Sequence, residues 1–403
     1  MRSAARLLET ISAPIIKHRA HFGQTITPAR GSVVASTQLA AYDPDPDYFF
    51  HWYRDAALAM EALRILHADG TVDRALAERH FADFVRFSLS LAALDGRGQP
   101  LPAAQPGFEK YLRRDLASAH GAAIAGETRV NPDGSLDISD WPRPQHDGPA
   151  LRALAVLRWM EKGCVPEGAE ALLRADLAFV TVHARRPCFD IWEEELGLHY
   201  YTLRVSAAAL LQGAGWLEQK GDAATARRCF SESQRILKLL RSYWRGTHYG
   251  SRLPKDGEVS PKDLDIAVVL AAIHAGGEGF HSPRDPRLLR TLDRLEALFD
   301  SSYAINHDRP RGRAPAMGRY AGDTYYSGGA YYFATLGAAE FCYRAGERAR
   351  GDAFLETVRA FTPDNGDLSE QFDRNTGAQT SSKQLGWSHA ALITCVAARP
   401  AAG

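Results

Sequence analysis

The stretch HYYTLRVSAAALLQGAGWLEQKGDAATARRCFSESQRILKLL (residues 199–240) carries apolar residues at spacings of three and four along most of its length. That is the period of an amphipathic helix, not a strand. It reads as two helices, 199–220 and 222–240, joined through Gly221 alone. So short a join makes them antiparallel neighbours. The segment leading into the pair is longer and contains FDIWEEE at 189–195, three consecutive acids beside a tryptophan.

The helical pattern extends outward from this pair in both directions. Helical segments are expected over 4–22, 52–68, 73–93, 147–162, 166–183, 199–220, 222–240, 261–275, 286–302, 328–346, 348–361 and 384–398. Phe81, Phe84, Val85, Ser88 and Leu91 share one face, as do Leu288, Leu292, Leu295 and Phe299. Pro14 breaks or restarts the first of these helices. Alternating runs of strand type are scarce, so the fold class is all-α. No linker rich in Ser, Gly or Pro divides the chain and no stretch repeats. One domain over 1–403 is expected.

Twelve consecutive antiparallel helices can close as six hairpins, an inner ring inside an outer one. All odd-to-even connections then emerge at the same end. These are 23–51, 94–146, 184–198, 241–260, 303–327 and 362–383, whereas joins such as 69–72 and 221 are very short. Long loops crowded on one face are where a site belongs.

Bulk properties exclude several partners. Lys plus Arg and Asp plus Glu number 48 each, so no net field draws in a polyanion and nucleic acid is not expected. The cysteines, Cys164, Cys188, Cys229, Cys342 and Cys395, are scattered and odd in number, which fits free thiols in a reducing compartment. Glu9, Pro14, Lys17 and His18 interrupt the apolar N-terminus, unlike a signal peptide, and no stretch suits a membrane span. A cytoplasmic protein is expected. No phosphate loop, HExxH helix, GxSxG elbow or GxGxxG turn occurs, and His183, His274 and His389 fall in helical segments, so neither cofactor nor metal is expected. The DPDPD run at 43–47 reads as a rigid turn rather than a calcium site.

The long loops carry the chemistry. The first ends in YFFHWYRD (48–55), the second in SDWPRPQHDGPALRA (139–153), and the third holds FDIWEEE (189–195). The fifth contains GRYAGDTYYSGG (318–329) and the sixth SEQFD (369–373), followed by Trp387 and Ser388. Aromatic faces stack on the C–H face of a pyranose, while Asp, Arg and Gln bond its hydroxyls. Taken singly, each carboxylate could be a solvated surface group or a helix-start charge. Acidic, aromatic segments in four of six loops on one predicted face argue for a sugar site. Mutual repulsion among Glu193, Glu194 and Glu195, or desolvation by the Trp192 wall, could raise one of the three carboxyls toward general-acid range.

In order, these five motifs resemble those of the glucoamylases of glycoside hydrolase family 15, over about residues 42–395. The resemblance implies an (α/α)6 barrel with the active site in the loops at one end. It implies Glu193 as general acid, Glu370 as general base, and Glu194 as a neighbour contacting sugar hydroxyls. Arg54 and Asp55 would hold the terminal glucose, with Tyr48, Trp52, Trp141, Trp192, Arg319 and Asp323 at further pocket positions. The implied reaction is inverting, exo-acting hydrolysis that releases β-glucose from short α-1,4- or α-1,6-glucosides. Trehalase is the nearest enzymatic alternative, and a silent carbohydrate-sensing regulatory protein the non-enzymatic one; retention of both Glu193 and Glu370 disfavours the latter. The sequence departs from the family pattern at Ser327, Ala330 and Tyr331, positions expected to shape subsites beyond the terminal glucose, and shows no starch-binding module.

Overall fold

A computed structural model of the chain describes residues 2–40, 45–99, 103–254, 260 and 262–402. Its helices are α1 (Arg2–Thr10), α2 (Tyr53–Ala68), α3 (Arg74–Ser90), α4 (Asp147–Glu161), α5 (Ala169–His183), α6 (Tyr200–Gln219) and α7 (Ala223–Leu240). They continue with α8 (Ala267–Ala275), α9 (Pro286–Ser302), the single turn α10 (Ala304–His307), α11 (Tyr332–Ala345), α12 (Arg348–Phe361) and α13 (Gly386–Ala398).

Burial separates these helices into two kinds. In α11 every residue from Tyr332 through Tyr343 is buried, as expected of a helix enclosed on all sides. In α9 only Leu288, Thr291, Leu292, Leu295 and Phe299 are buried, a single stripe facing inward. The enclosed kind forms a closed ring, α2–α4–α6–α8–α11–α13 and back to α2. Around it lie α1, α3, α5, α7, α9 and α12, packed on α13, α2, α4, α6, α8 and α11 respectively. This is the (α/α)6 barrel. Connections from outer to inner helices, over 11–52, 91–146, 184–199, 241–266, 303–331 and 362–385, gather at one end.

Short strands stiffen that end. β3 (His51–Trp52) pairs antiparallel with β4 (Arg129–Val130), and β5 (Cys188–Phe189) with β6 (Leu196–Gly197). β7 (Ala330–Tyr331), β8 (Gln371–Phe372) and β9 (Gln379–Thr380) form a three-stranded sheet. The β3–β4 and β7–β8 pairings each join two site-bearing loops, while β5–β6 and β8–β9 fold a single loop back on itself.

Three helix boundaries differ from the sequence reading by four residues or more. The first helix stops at Thr10 instead of running to residue 22. Pro14 follows without an amide N–H, and the chain turns into a hairpin of β1 (Lys17–Arg19) and β2 (Gln24–Ile26). Gly23 takes the left-handed conformation at φ 60° in its turn. Helix α8 begins at Ala267, not near 261, because Asp265 accepts the Ala267 N–H through its side chain while bridging to Tyr320. Helix α11 starts at Tyr332, not 328, because Ala330 and Tyr331 are committed to β7.

Candidate active site

The first loop delivers Trp52 at the end of β3 and Arg54 and Asp55 in the first turn of α2. Helix α4 meets this turn closely: a Cβ on Gly148 would lie 2.6 Å from Cβ of Tyr53. Only glycine permits that approach, which sets Asp147 3.8 Å from the Arg54 guanidinium. Arg54 also donates to Glu193 Oε1 (3.1 Å) and Gln145 Oε1 (3.2 Å), and its Nε lies 3.3 Å from Asp55. Burial pushes Asp55 and Asp147 each up to about 6, against the opposing pull of Arg54.

The third loop places its acids in a turn between β5 and β6. The backbone N–H groups of Glu194 and Glu195 both donate to Asp190 Oδ1, at 2.7 and 3.2 Å. Within this clamp Glu193 adopts φ 64°, a left-handed conformation uncommon for a residue with a side chain. Such strain persists where the surroundings enforce it, and it clusters at functional sites. The Glu193 carboxylate accepts from the indole N–H of Trp52 (2.8 Å), from that of Trp141, and from Arg54.

The acids do not form the mutually repelling run that their adjacency suggests. Glu194 turns to Arg319 (2.9 Å), the Tyr320 hydroxyl (2.5 Å) and Lys262, and Glu195 lies 3.4 Å from Arg252. Each carboxylate therefore has its own cation. Trp192 does not bond Glu193 either; its indole N–H donates to Asp265 Oδ2 at 2.8 Å. Asp265 is buried, which pushes its carboxyl up to about 8.

The sixth loop brings Glu370 in just before β8, its N–H held by the Ser382 carbonyl at 2.7 Å. Its carboxylate accepts from the Tyr48 hydroxyl, 3.2 and 3.3 Å from its two oxygens, and from Ser381. Tyr48 in turn lies 2.8 Å from the Tyr325 hydroxyl. With hydroxyls rather than a bonded cation around it, burial raises Glu370 to about 7.

These groups converge on one pocket of about 300 Å³. Tyr48, Trp52, Arg54, Asp55, Trp141, Trp192, Glu193, Glu194, Arg319 and Glu370 all line it. Asp323 does not; it bonds Arg319, accepting from Nε and Nη2 along one edge of the guanidinium at 2.7 and 2.6 Å. Tyr331, expected to shape outer subsites, is buried and bonds Asp323 and Gln371, while Ser327 bonds Gln371. Ala330 is buried in β7, so these three positions belong to the support beneath the pocket and not to its lining. Asp43 and Pro44 of the DPDPD run lie outside the described residues; Asp45 pairs with Lys383, and Asp47 with Lys17 and Arg19.

Comparison with known proteins then decides the family. The family model for glycosyl hydrolases family 15 matches residues 18–352 and 346–397. The chain belongs to family 15. That places it among the glycoside hydrolases. It is 28% identical to Glucoamylase 1 of Rhizopus oryzae over 440 residues, covering 93% of this chain and 67% of that protein. It is 29% identical to Glucoamylase-1 of Arthroderma benhamiae over 426 residues, covering 92% and 65%. The chain thus spans about two thirds of the length of these curated relatives. The glucoamylase structure from Hypocrea jecorina superposes with a TM-score of 0.81 at 25% identity, covering 99% of this chain and 70% of that one.

The sequence motifs of this family 15 chain did not point to Arg129, which supports the Glu193 side of the pocket. It is wholly buried, with its guanidinium carbon 3.7 Å from the Trp141 ring centroid, 4.6 Å from that of Trp52 and 3.9 Å from that of Phe50. Its Nε donates to Asp137 at 2.8 Å. Arg129 thereby backs both tryptophans that bond Glu193. Arg129→Met removes the cation and leaves Asp137 with Arg143 at 3.1 Å as its remaining ion-pair partner. We expect a loss of about 3 kcal/mol in a urea melt, the lower end of the 3–5 kcal/mol range for breaking a buried pair. Wild-type stability in this variant would show that Arg129 is not a structural support.

Proposed function

We propose that the protein is an inverting, exo-acting glycoside hydrolase that removes β-glucose from the non-reducing ends of short α-1,4- or α-1,6-glucosides. The observation that carries this reading is that Glu193 and Glu370, on different loops, line one pocket together with Arg54, Asp55 and a wall of aromatic rings. Arg54 and Asp55 hold the hydroxyls of the terminal glucose, with Glu194 and Arg319 as further polar contacts and the surrounding rings as stacking surfaces.

In this mechanism the protonated Glu193 gives its proton to the glycosidic oxygen as the bond to the anomeric carbon breaks. A water on the opposite face forms the new carbon–oxygen bond and passes a proton to Glu370. The charge left on Glu193 falls where the Trp52 and Trp141 N–H groups and Arg54 already point, so little reorganisation is needed. Five free cysteines and ordinary charge balance support a cytoplasmic setting, and no helix among the described residues is long and apolar enough to cross a membrane.

The base must be ionised to accept the water's proton. With Glu370 raised to about 7, kcat/KM is expected to fall tenfold per pH unit below about pH 7, as one group protonates. An acid limb that breaks near pH 4.5 would contradict the buried setting of Glu370. Substrate class is tested by following glucose release from maltose, isomaltose, trehalose and a longer maltooligosaccharide. Hydrolysis of maltose or isomaltose supports the proposal, trehalose alone would make the protein a trehalase, and none would return it to a sensor role.

A further inference from the structure

A second cavity, of about 700 Å³, adjoins the catalytic pocket and shares Asp140 and Trp141 with it. One wall is the β1–β2 hairpin, which replaces the end of the first helix expected from sequence. A second wall, packed on the hairpin, is the segment carrying Phe108 and Tyr111. Backbone bonds hold it: Gln105 N–H donates to the His21 carbonyl of the hairpin at 2.8 Å, and Asp140 N–H, next to Trp141, donates to the Tyr111 carbonyl at 2.7 Å.

Trp141 fixes the side of the scissile bond on which this cavity lies. Its indole N–H bonds Glu193, assigned above to protonating the leaving oxygen. The second cavity shares Trp141 with the catalytic pocket but not Glu370, which sets it beside the residue assigned to the leaving oxygen. Its chemistry is also distinctive. The buried charges in its walls are spent on one another and on main chain: Arg19 donates to Asp47 (2.8 Å), Asn131 (2.7 Å) and the Phe49 carbonyl (2.8 Å), and Lys17 pairs with Asp47. What remains toward the cavity is largely ring surface, with Asp140 as an exposed carboxylate at the edge shared with the catalytic pocket. Phe108 stacks on His21 with centroids 3.8 Å apart, Phe22 meets it edge-on, and Tyr111 is 50% exposed. A further glucosyl ring would bring a rim of hydroxyls needing partners; a flat aromatic group would not.

We infer that this cavity is a leaving-group site for α-glucosides of aromatic alcohols, an inference that rests on the hydrolase reading above. The reaction is unchanged, and only the group carried off differs. Phe108→Ala and Tyr111→Ala test it with 4-methylumbelliferyl α-glucoside, maltose and maltotetraose as substrates. Each variant is expected to raise KM for the aryl glucoside about tenfold, leaving kcat and both maltooligosaccharides within about twofold of wild type. Retained maltose turnover shows that the variants fold. An unchanged KM for the aryl glucoside overturns the inference, and so does an equal rise for maltotetraose, which would assign the cavity to glucan. If wild type hydrolyses none of the three, the hydrolase reading fails separately. Fluorescence titration with the same aryl glucoside then decides: tenfold weaker binding in the variants upholds the cavity site, and equal binding removes it.

Discussion

Glu193→Gln is expected to lower kcat on the best α-glucoside by about 10³-fold, within the 10²–10⁴-fold range for losing a positioned general acid. The substitution keeps shape but cannot donate the carboxyl proton. Its amide oxygen can still accept from Trp52 and Arg54, as Oε1 does now. The amide nitrogen then faces the Trp141 N–H, donor against donor, at a cost of about 1 kcal/mol. Substrate affinity should therefore change by no more than about tenfold. Single-turnover kinetics with binding measured separately checks both parts, and undiminished hydrolysis would remove Glu193 as the acid.

Glu370→Ala should reduce kcat by a similar factor, about 10³-fold, because among the described residues no other carboxylate bonds Tyr48 and Ser381 at that wall. Near-wild-type turnover would place the base elsewhere. Stability gives an independent reading of the same residue. The folded-state pKa of Glu370, about 7, lies above its ordinary 4.5, so the folded protein holds a proton that the unfolded chain releases. The favourable contribution is complete below pH 4.5 and is lost as pH rises through about 7. Glu370→Gln, neutral at every pH, should thus raise the melting temperature relative to wild type at pH 8 and show a smaller gain at pH 4. A gain independent of pH would mean that burial does not penalise this carboxylate.

The helical architecture was legible because its signal is repeated and local. Apolar spacing identified all the enclosed and outer helices, and the short joins predicted which ends would crowd with loops. The candidate site was legible because acids and aromatics recur in those loops: every residue named for acid, base or glucose contact lines the pocket except Asp323, which bonds Arg319, whereas Ser327, Ala330 and Tyr331, named for outer subsites, do not line it. What sequence could not show were partners brought together from distant loops. Arg129 sits in an unremarked arginine–valine pair, and its role exists only once β4 lies beside β3. Lys262 and Asp265 fell within an expected helix, yet they belong to the loop that reaches Glu194 and Trp192. Adjacent acids suggested repulsion because chain order does not reveal that Arg54, Arg319 and Arg252 arrive separately. The hairpin after α1 was hidden for a related reason: Pro14 signals a break but not the pairing that follows it.

The central claim is that Glu193 and Glu370 act from opposite faces of the terminal glucose, which fixes the configuration of the product. Proton NMR of the anomeric region during the first turnovers of the fastest α-glucoside tests it most directly. The account predicts that β-glucose appears first and mutarotates afterwards toward the equilibrium mixture; initial accumulation of α-glucose would contradict it.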